Sequence, residues 1–277
     1  MLNTNELKYN NYDDIESFGS NPNNQLAPMT QILSNIGLLN YIKQVYFYTG
    51  IGWSCVLISG ELMSLTISKS NIHILQWIYL SVGFCMSIFT MILCSSPNYN
   101  PKLSLSLETE IKRENVPTWK IVSYLLFSYS LGLILSPAVF IVNNYNHIIF
   151  PLSILITNSI FMIIQFVVWM QKDISGIKFY TPLISCVSGL IMIGIIEIVL
   201  GCLGFDKTVL LLSFGTSIIS IIIFTGLIFV DTLKAIESYN KSELNSIRCS
   251  IEIVLDLANI LINMMDCLMT VLASSDD

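Results

Sequence analysis

The chain has 277 residues, 53% of them apolar and only 12% charged, with a mean hydropathy of +0.69. A soluble domain carries about 25% charged residues, so roughly half of the usual solvated surface is missing and a soluble, disulfide-rich secreted or disordered chain is excluded. The net charge of −6, from 19 acidic and 13 basic residues with no basic stripe, also excludes a nucleic-acid partner.

Residues 1–40 are rich in Asn, Ser, Asp and Glu, contain Pro22 and Pro28, and lack the basic start and apolar core of a signal peptide. They predict a disordered polar cytoplasmic tail ahead of a membrane domain over 41–277. A bilayer-crossing helix needs about 20 mostly apolar residues. Seven blocks qualify: Val45–Leu65, Ile72–Cys94, Trp119–Val142, Ile148–Met170, Phe179–Leu203, Val209–Asp231 and Ile247–Leu272. Open-edged strands cannot span lipid and alternating ten-residue segments are absent, which argues against a barrel. The expected fold is an all-α membrane protein, a seven-transmembrane-helix bundle.

Cations in the flanking segments set the orientation. The tail and the second, fourth and sixth loops hold Lys8, Lys43, Lys102, Lys112, Arg113, Lys120, Lys172, Lys178, Lys234, Lys241 and Arg248; the other loops hold only Lys69 and Lys207. The N-terminus is therefore expected in the cytoplasm, and the last segment either crosses or re-enters. Trp77, Tyr79, Trp119, Tyr124 and Trp169 lie near span ends, as interfacial anchors do. Pro137 should kink the third helix, whereas Pro151 and Pro182 fall in first turns, where proline is tolerated. His147 lies in a short polar loop and receives no role. The seven cysteines, Cys55, Cys85, Cys94, Cys186, Cys202, Cys249 and Cys267, show no C-x-x-C spacing and read as helix packers.

Ionisable residues at depth cost roughly 2.5–3.5 kcal/mol each at a helix centre, so they normally face a partner or a wet cavity. The candidates are Glu61, Glu197, Asp231, Glu252, Asp256 and Asp266, and no Lys or Arg is expected inside a span. Acids without matching bases suit a path for cations or protons. On the last helix, Glu252, Asp256, Asn259, Asn263 and Asp266 fall within an arc of roughly 80°. Interhelical hydrogen bonding accounts for the two asparagines. Three carboxylates on one stripe point instead to a polar cavity.

Asp231, near the end of the sixth block, and Asp256 lie almost symmetrically about Glu243 in the connecting segment. Antiparallel neighbours joined there bring both acids to similar depth. Two carboxylates that close do not readily ionise together, so the pair is expected to share a proton and act as a pH switch. Two acids pointing at separate wet surfaces are the alternative. Ser213, Gly215, Thr216, Ser217, Ser220, Thr225 and Gly226 make the sixth helix small-faced, which reads as close packing rather than binding.

Five stretches carry a family resemblance. Phe224-Thr225-Gly226-Leu227-Ile228-Phe229-Val230-Asp231-Thr232 and Val254-Leu255-Asp256-Leu257-Ala258-Asn259-Ile260 resemble the last two helices of the Bax inhibitor-1 family, the transmembrane Bax-inhibitor-motif proteins. Tyr41-Ile42-Lys43-Gln44-Val45-Tyr46, Leu131-Gly132-Leu133-Ile134-Leu135-Ser136-Pro137 and Gln171-Lys172-Asp173-Ile174-Ser175-Gly176 are similar to its first-helix entry, third helix and post-fourth-helix turn, in the right order. The resemblance runs from Tyr41 to Leu272. It implies a seven-helix bundle of the endoplasmic reticulum or related membranes that leaks calcium in a pH-dependent way and dampens cell death. By motif, its pH-sensing aspartates fall on Asp231 and Asp256. Two departures stand out: Val230 replaces the usual Tyr, and the second helix lacks the basic residue that some relatives use as a latch on an aspartate.

The reading is therefore a pH-sensitive calcium leak channel, with Asp231 and Asp256 as sensor and Glu252, Asn259, Asn263, Asp266 and Glu197 along the ion path. Ca²⁺ is the transported ion and H⁺ the regulator; no enzymatic site, cofactor or nucleic-acid partner is expected, and no metal-ligand set is assigned. The surroundings are a lipid bilayer and other membrane proteins of the cell-death pathway. A non-conducting scaffold that regulates apoptosis through such partners is the alternative. An intramembrane aspartyl protease would need Gly-x-Gly-Asp where Ile253-Val254-Leu255-Asp256 stands, and a retinal receptor would need a lysine on the last helix.

Overall fold

Backbone amides buried in an apolar chain must pair internally, and a run of long apolar segments does so most simply as helices. The computed structural model describes residues 36–67, 72–95, 116–170, 175–204, 206–240 and 244–275. Among these it has seven long helices: α1 (Ile36–Thr66), α2 (Ile72–Ser95), α3 (Thr118–Tyr145), α4 (Ile149–Met170), α5 (Tyr180–Cys202), α6 (Asp206–Asn240) and α7 (Ser246–Ser275). A 3-10 turn, Ser175–Phe179, leads into α5. The expected tail, apart from Ile36–Asn40, lies outside the described residues, as do the loop lysines Lys8, Lys69, Lys102, Lys112, Lys172 and Lys241, Arg113, and Glu243. The helix that replaces the end of the expected tail starts at Ile36, and Leu38 there is buried.

Six of the helices are long and apolar enough to cross a bilayer. α1 is not among them, because its tyrosines, glycines, Lys43 and Glu61 dilute its aliphatic residues. One face of it packs against α3, α7 and α6, while Phe47, Ile51, Ile58, Leu62 and Leu65 are exposed on the other. Leu38, Tyr41, Ile42, Val45, Trp53 and Val56 of α1 join the main core.

The core runs along α1, α3, α6 and α7, with α4 closing one side and α2 resting chiefly on α3. Gly132 of α3 faces Ser59 and the Val56 carbonyl of α1 so closely that a Cβ would sit 2.8 Å from that oxygen. α3 continues as a helix through Pro137. α5 lies at the periphery. Among the described residues it touches only α6 and the 3-10 turn, and none of its residues is buried.

Two expectations about side chains change here. Tyr124 is fully buried, with its hydroxyl donating to the Tyr48 carbonyl at 2.7 Å, so it is a core residue and no interfacial anchor. Trp77, Trp119 and Trp169 stay exposed. Lysines also lie within helices: Lys120 is fully buried in the first turn of α3, and Lys234 belongs to the apolar stretch Thr208–Tyr239 of α6. The hydropathy drop at Asp231 had suggested a span end, but α6 continues to Asn240. All seven cysteines are free.

Candidate functional site

α6 and α7 are antiparallel and joined by a short connection, so residues equidistant from the connection meet. Asp231 and Asp256 do so: their carboxyl groups lie within hydrogen-bonding reach of each other. Asp231 is 6% and Asp256 7% exposed, too little for water to solvate both charges. Oδ2 of Asp256 is buried with no hydrogen-bond partner. An ionised oxygen left that way loses about 1–3 kcal/mol or more, whereas one proton between two carboxyl groups removes the penalty.

The pair has charged neighbours. Lys234 Nζ lies 2.9 Å from Asp231 Oδ1, one turn along α6. The same ammonium sits over the Tyr180 ring, 3.0 Å from its centroid. Glu252, a turn before Asp256, is close enough to bear on both aspartates and Lys234, and Arg248 Nε donates to Glu252 Oε1 at 3.3 Å. The sequence assigned Glu252 to an ion path. Its surroundings place it in the charge cluster around the aspartates.

A second polar centre lies further along α7. Ten residues at about 1.5 Å rise set Asp266 roughly 15 Å along the helix axis from Asp256. Ser213 and Ser217 of α6 donate to Asp266 Oδ2 at 2.8 and 2.6 Å. Thr216 donates to Glu197 Oε1 of α5 at 2.8 Å. These side chains and Asn263 share a cavity of about 300 Å³, walled by Ala138, Ile141 and Met269 among others. The small residues of α6, read from sequence as packing, therefore divide. Gly226 does permit close packing, with Leu183 of α5 against it, but the hydroxyls of Ser213, Thr216 and Ser217 hold the acids.

Asn263 Nδ2 donates to the Asn259 carbonyl of its own helix at 2.7 Å. Both asparagines are half-buried on the stretch between the two centres. Glu61 belongs to neither centre; Asn143 of α3 donates to it at 3.2 Å. Among the described residues, no group of three or more His, Cys, Asp or Glu side chains is arranged to hold a metal ion.

Neutral hydrogen bonds brace the helices behind the aspartates. Tyr46 of α1 donates to Gln165 of α4, and Gln165 donates to Thr232 of α6 at 3.5 Å. Ser250 of α7 donates to the Val45 carbonyl at 2.8 Å. The aspartates thus face each other from helices anchored on α1 and α4.

A bundle of long apolar helices with facing acids in its interior defines a polytopic membrane protein. The model of the family described as "Inhibitor of apoptosis-promoting Bax1" matches residues 38–271, and the chain belongs to that family. The comparisons with curated proteins and with solved structures found no match. The matched segment nearly coincides with the stretch over which the sequence resembles the Bax inhibitor-1 family.

Proposed function

We propose that this chain is a pH-sensitive calcium leak channel of an intracellular membrane, the endoplasmic reticulum, acting on Ca²⁺ homeostasis and cell death. In this reading all seven helices cross the bilayer and the N-terminus is cytoplasmic. The observation that carries it is the contact between Asp231 and Asp256, both buried, with Asp256 Oδ2 lacking any donor. One shared proton holds α6 to α7. Its loss leaves like charges at close range in a poorly solvated place and drives the helices apart. Asn259, Asn263, Asp266 and Glu197 then offer oxygens along the route, the ligand type that Ca²⁺ takes.

The test is Ca²⁺ release from liposomes carrying the purified protein, measured across pH. Wild-type flux should rise as pH increases, and Asp231→Asn or Asp256→Asn should flatten that dependence. Unchanged flux and pH profile in both variants would contradict the switch. A wild-type protein that releases no Ca²⁺ would favour the non-conducting scaffold.

A further inference from the structure

Residues 72–95 of the second helix contain neither Lys nor Arg. The cation comes from α6 itself. Lys234 Nζ reaches Asp231 Oδ1 at 2.9 Å, and the same ammonium sits 3.0 Å from the centroid of the Tyr180 ring. Lys234 is partly shielded, with 23% of its side chain exposed, against 8% for Asp231. In such a place a charge–charge contact is weakened little by salt.

We infer that Lys234, clamped on Tyr180, is the built-in counter-charge of the Asp231–Asp256 pair and sets the pH at which the pair changes state. The inference rests on the channel reading for its consequence, but its geometry is independent of conduction. Two carboxyl groups holding one proton carry a single negative charge, and one ammonium balances it.

The other groups around the pair do not supply that balance. On α7, Glu252 adds a negative charge, and Arg248 is spent on Glu252. On α6, Glu237 follows Lys234 by one turn and is half-buried. α4 contributes no charged residue, only Gln165. α3, which packs on α7, carries Lys120 buried in its first turn near Cys94, and the charges acting on Asp256 are those of Asp231, Glu252 and Lys234. From α1, Tyr46 is occupied with Gln165, while Lys43 is exposed; Lys178 of the 3-10 turn is exposed as well. On α5 the facing group is Tyr180, whose ring attracts the ammonium through its negative π face.

The clamp also ties a peripheral element to the switch. α5 touches only α6 and the 3-10 turn among the described residues. It is pinned near one end by Tyr180 on Lys234 and near the other by Thr216 on Glu197. A change in the charge of Asp231 alters the pull on Lys234 and, through it, on the start of α5.

The experiment is an infrared titration of the protonated-carboxyl absorption in lipid bilayers, with the pair's band assigned by its loss in Asp256→Asn. Lys234→Met removes the counter-charge, so the protonated form should persist to higher pH, with the midpoint displaced by about one pH unit or more. Lys234→Arg should restore a near wild-type midpoint. Tyr180→Leu, at an exposed position, should displace it the same way by less, and it decides the matter if Lys234→Met does not survive purification. A Lys234→Met or Tyr180→Leu midpoint equal to wild type would overturn the inference. Ca²⁺ flux measured alongside separates the two claims: a displaced infrared midpoint without wild-type flux supports the counter-charge and contradicts conduction. A fixed midpoint with flux that depends on Asp231 and Asp256 does the reverse.

Discussion

Asp256 meets Asp231, whereas Asp266 meets two serines and Glu197 a threonine, so the acids have two kinds of partner, another carboxyl group or hydroxyl donors. The difference decides what each acid can do. A carboxylate fed by two hydroxyl donors is comfortable with its charge, whereas two carboxyl groups facing each other need a proton between them. Removing both donors by Ser213→Ala with Ser217→Ala should leave Asp266 under-satisfied and cost about 1–3 kcal/mol. A lower thermal midpoint in detergent checks this, and an unchanged midpoint would contradict it. The acids were legible in the sequence because charge is rare in apolar helices. Their hydroxyl partners were not, since Ser and Thr serve equally as small packing residues. Lys234 was hidden for a different reason: hydropathy falls at Asp231, and a lysine just beyond reads as part of a loop until the helix is seen to continue.

Helix–helix geometry separates the inner elements from the outer ones. α1 and α3 approach closely at Gly132, where a Cβ would meet Ser59 and the Val56 carbonyl. Backbone cannot yield as a flexible side chain can, so Gly132→Ala should cost about 1–3 kcal/mol through overpacking. Gly189 on α5 has open space around its Cα. There the same substitution should be neutral, or stabilising by up to about 1 kcal/mol through helix propensity. Unfolding measurements on the two variants in one detergent check the contrast, and equal losses would contradict it. Helix positions were legible from apolar block length, with α2 and α4 found to within a residue or two. α1 and α6 were least legible in extent: α1 starts nine residues before its apolar block, and α6 runs nine residues past Asp231. The first turns of α1 carry Asn40, Lys43 and Gln44 among their apolar residues, so hydropathy marks the helix only from Val45 onward.

Over the whole molecule, acids occur at two depths along the α6–α7 seam, with Asn259 and Asn263 between them. The seam itself was foreseeable from the polar stripe of the last helix. Its division was not, because a stripe on one helix does not say which neighbour each residue meets. On the proposed channel function the division corresponds to separate tasks, proton sensing by the aspartate pair and cation attraction by the cavity around Glu197 and Asp266. Glu197→Gln and Asp266→Asn should therefore lower the amplitude of Ca²⁺ release while leaving its pH midpoint in place. A displaced midpoint with full amplitude would contradict that division.

The most direct measurement is a double-mutant cycle on pH-dependent Ca²⁺ release, comparing wild type, Asp231→Asn, Asp256→Asn and the combined variant in the same liposomes. Residues that hold one proton between them work as a unit, so the combined variant should lose no more pH dependence than either single variant. Independent, additive losses would mean that the two aspartates titrate separately and that no proton is shared across α6 and α7.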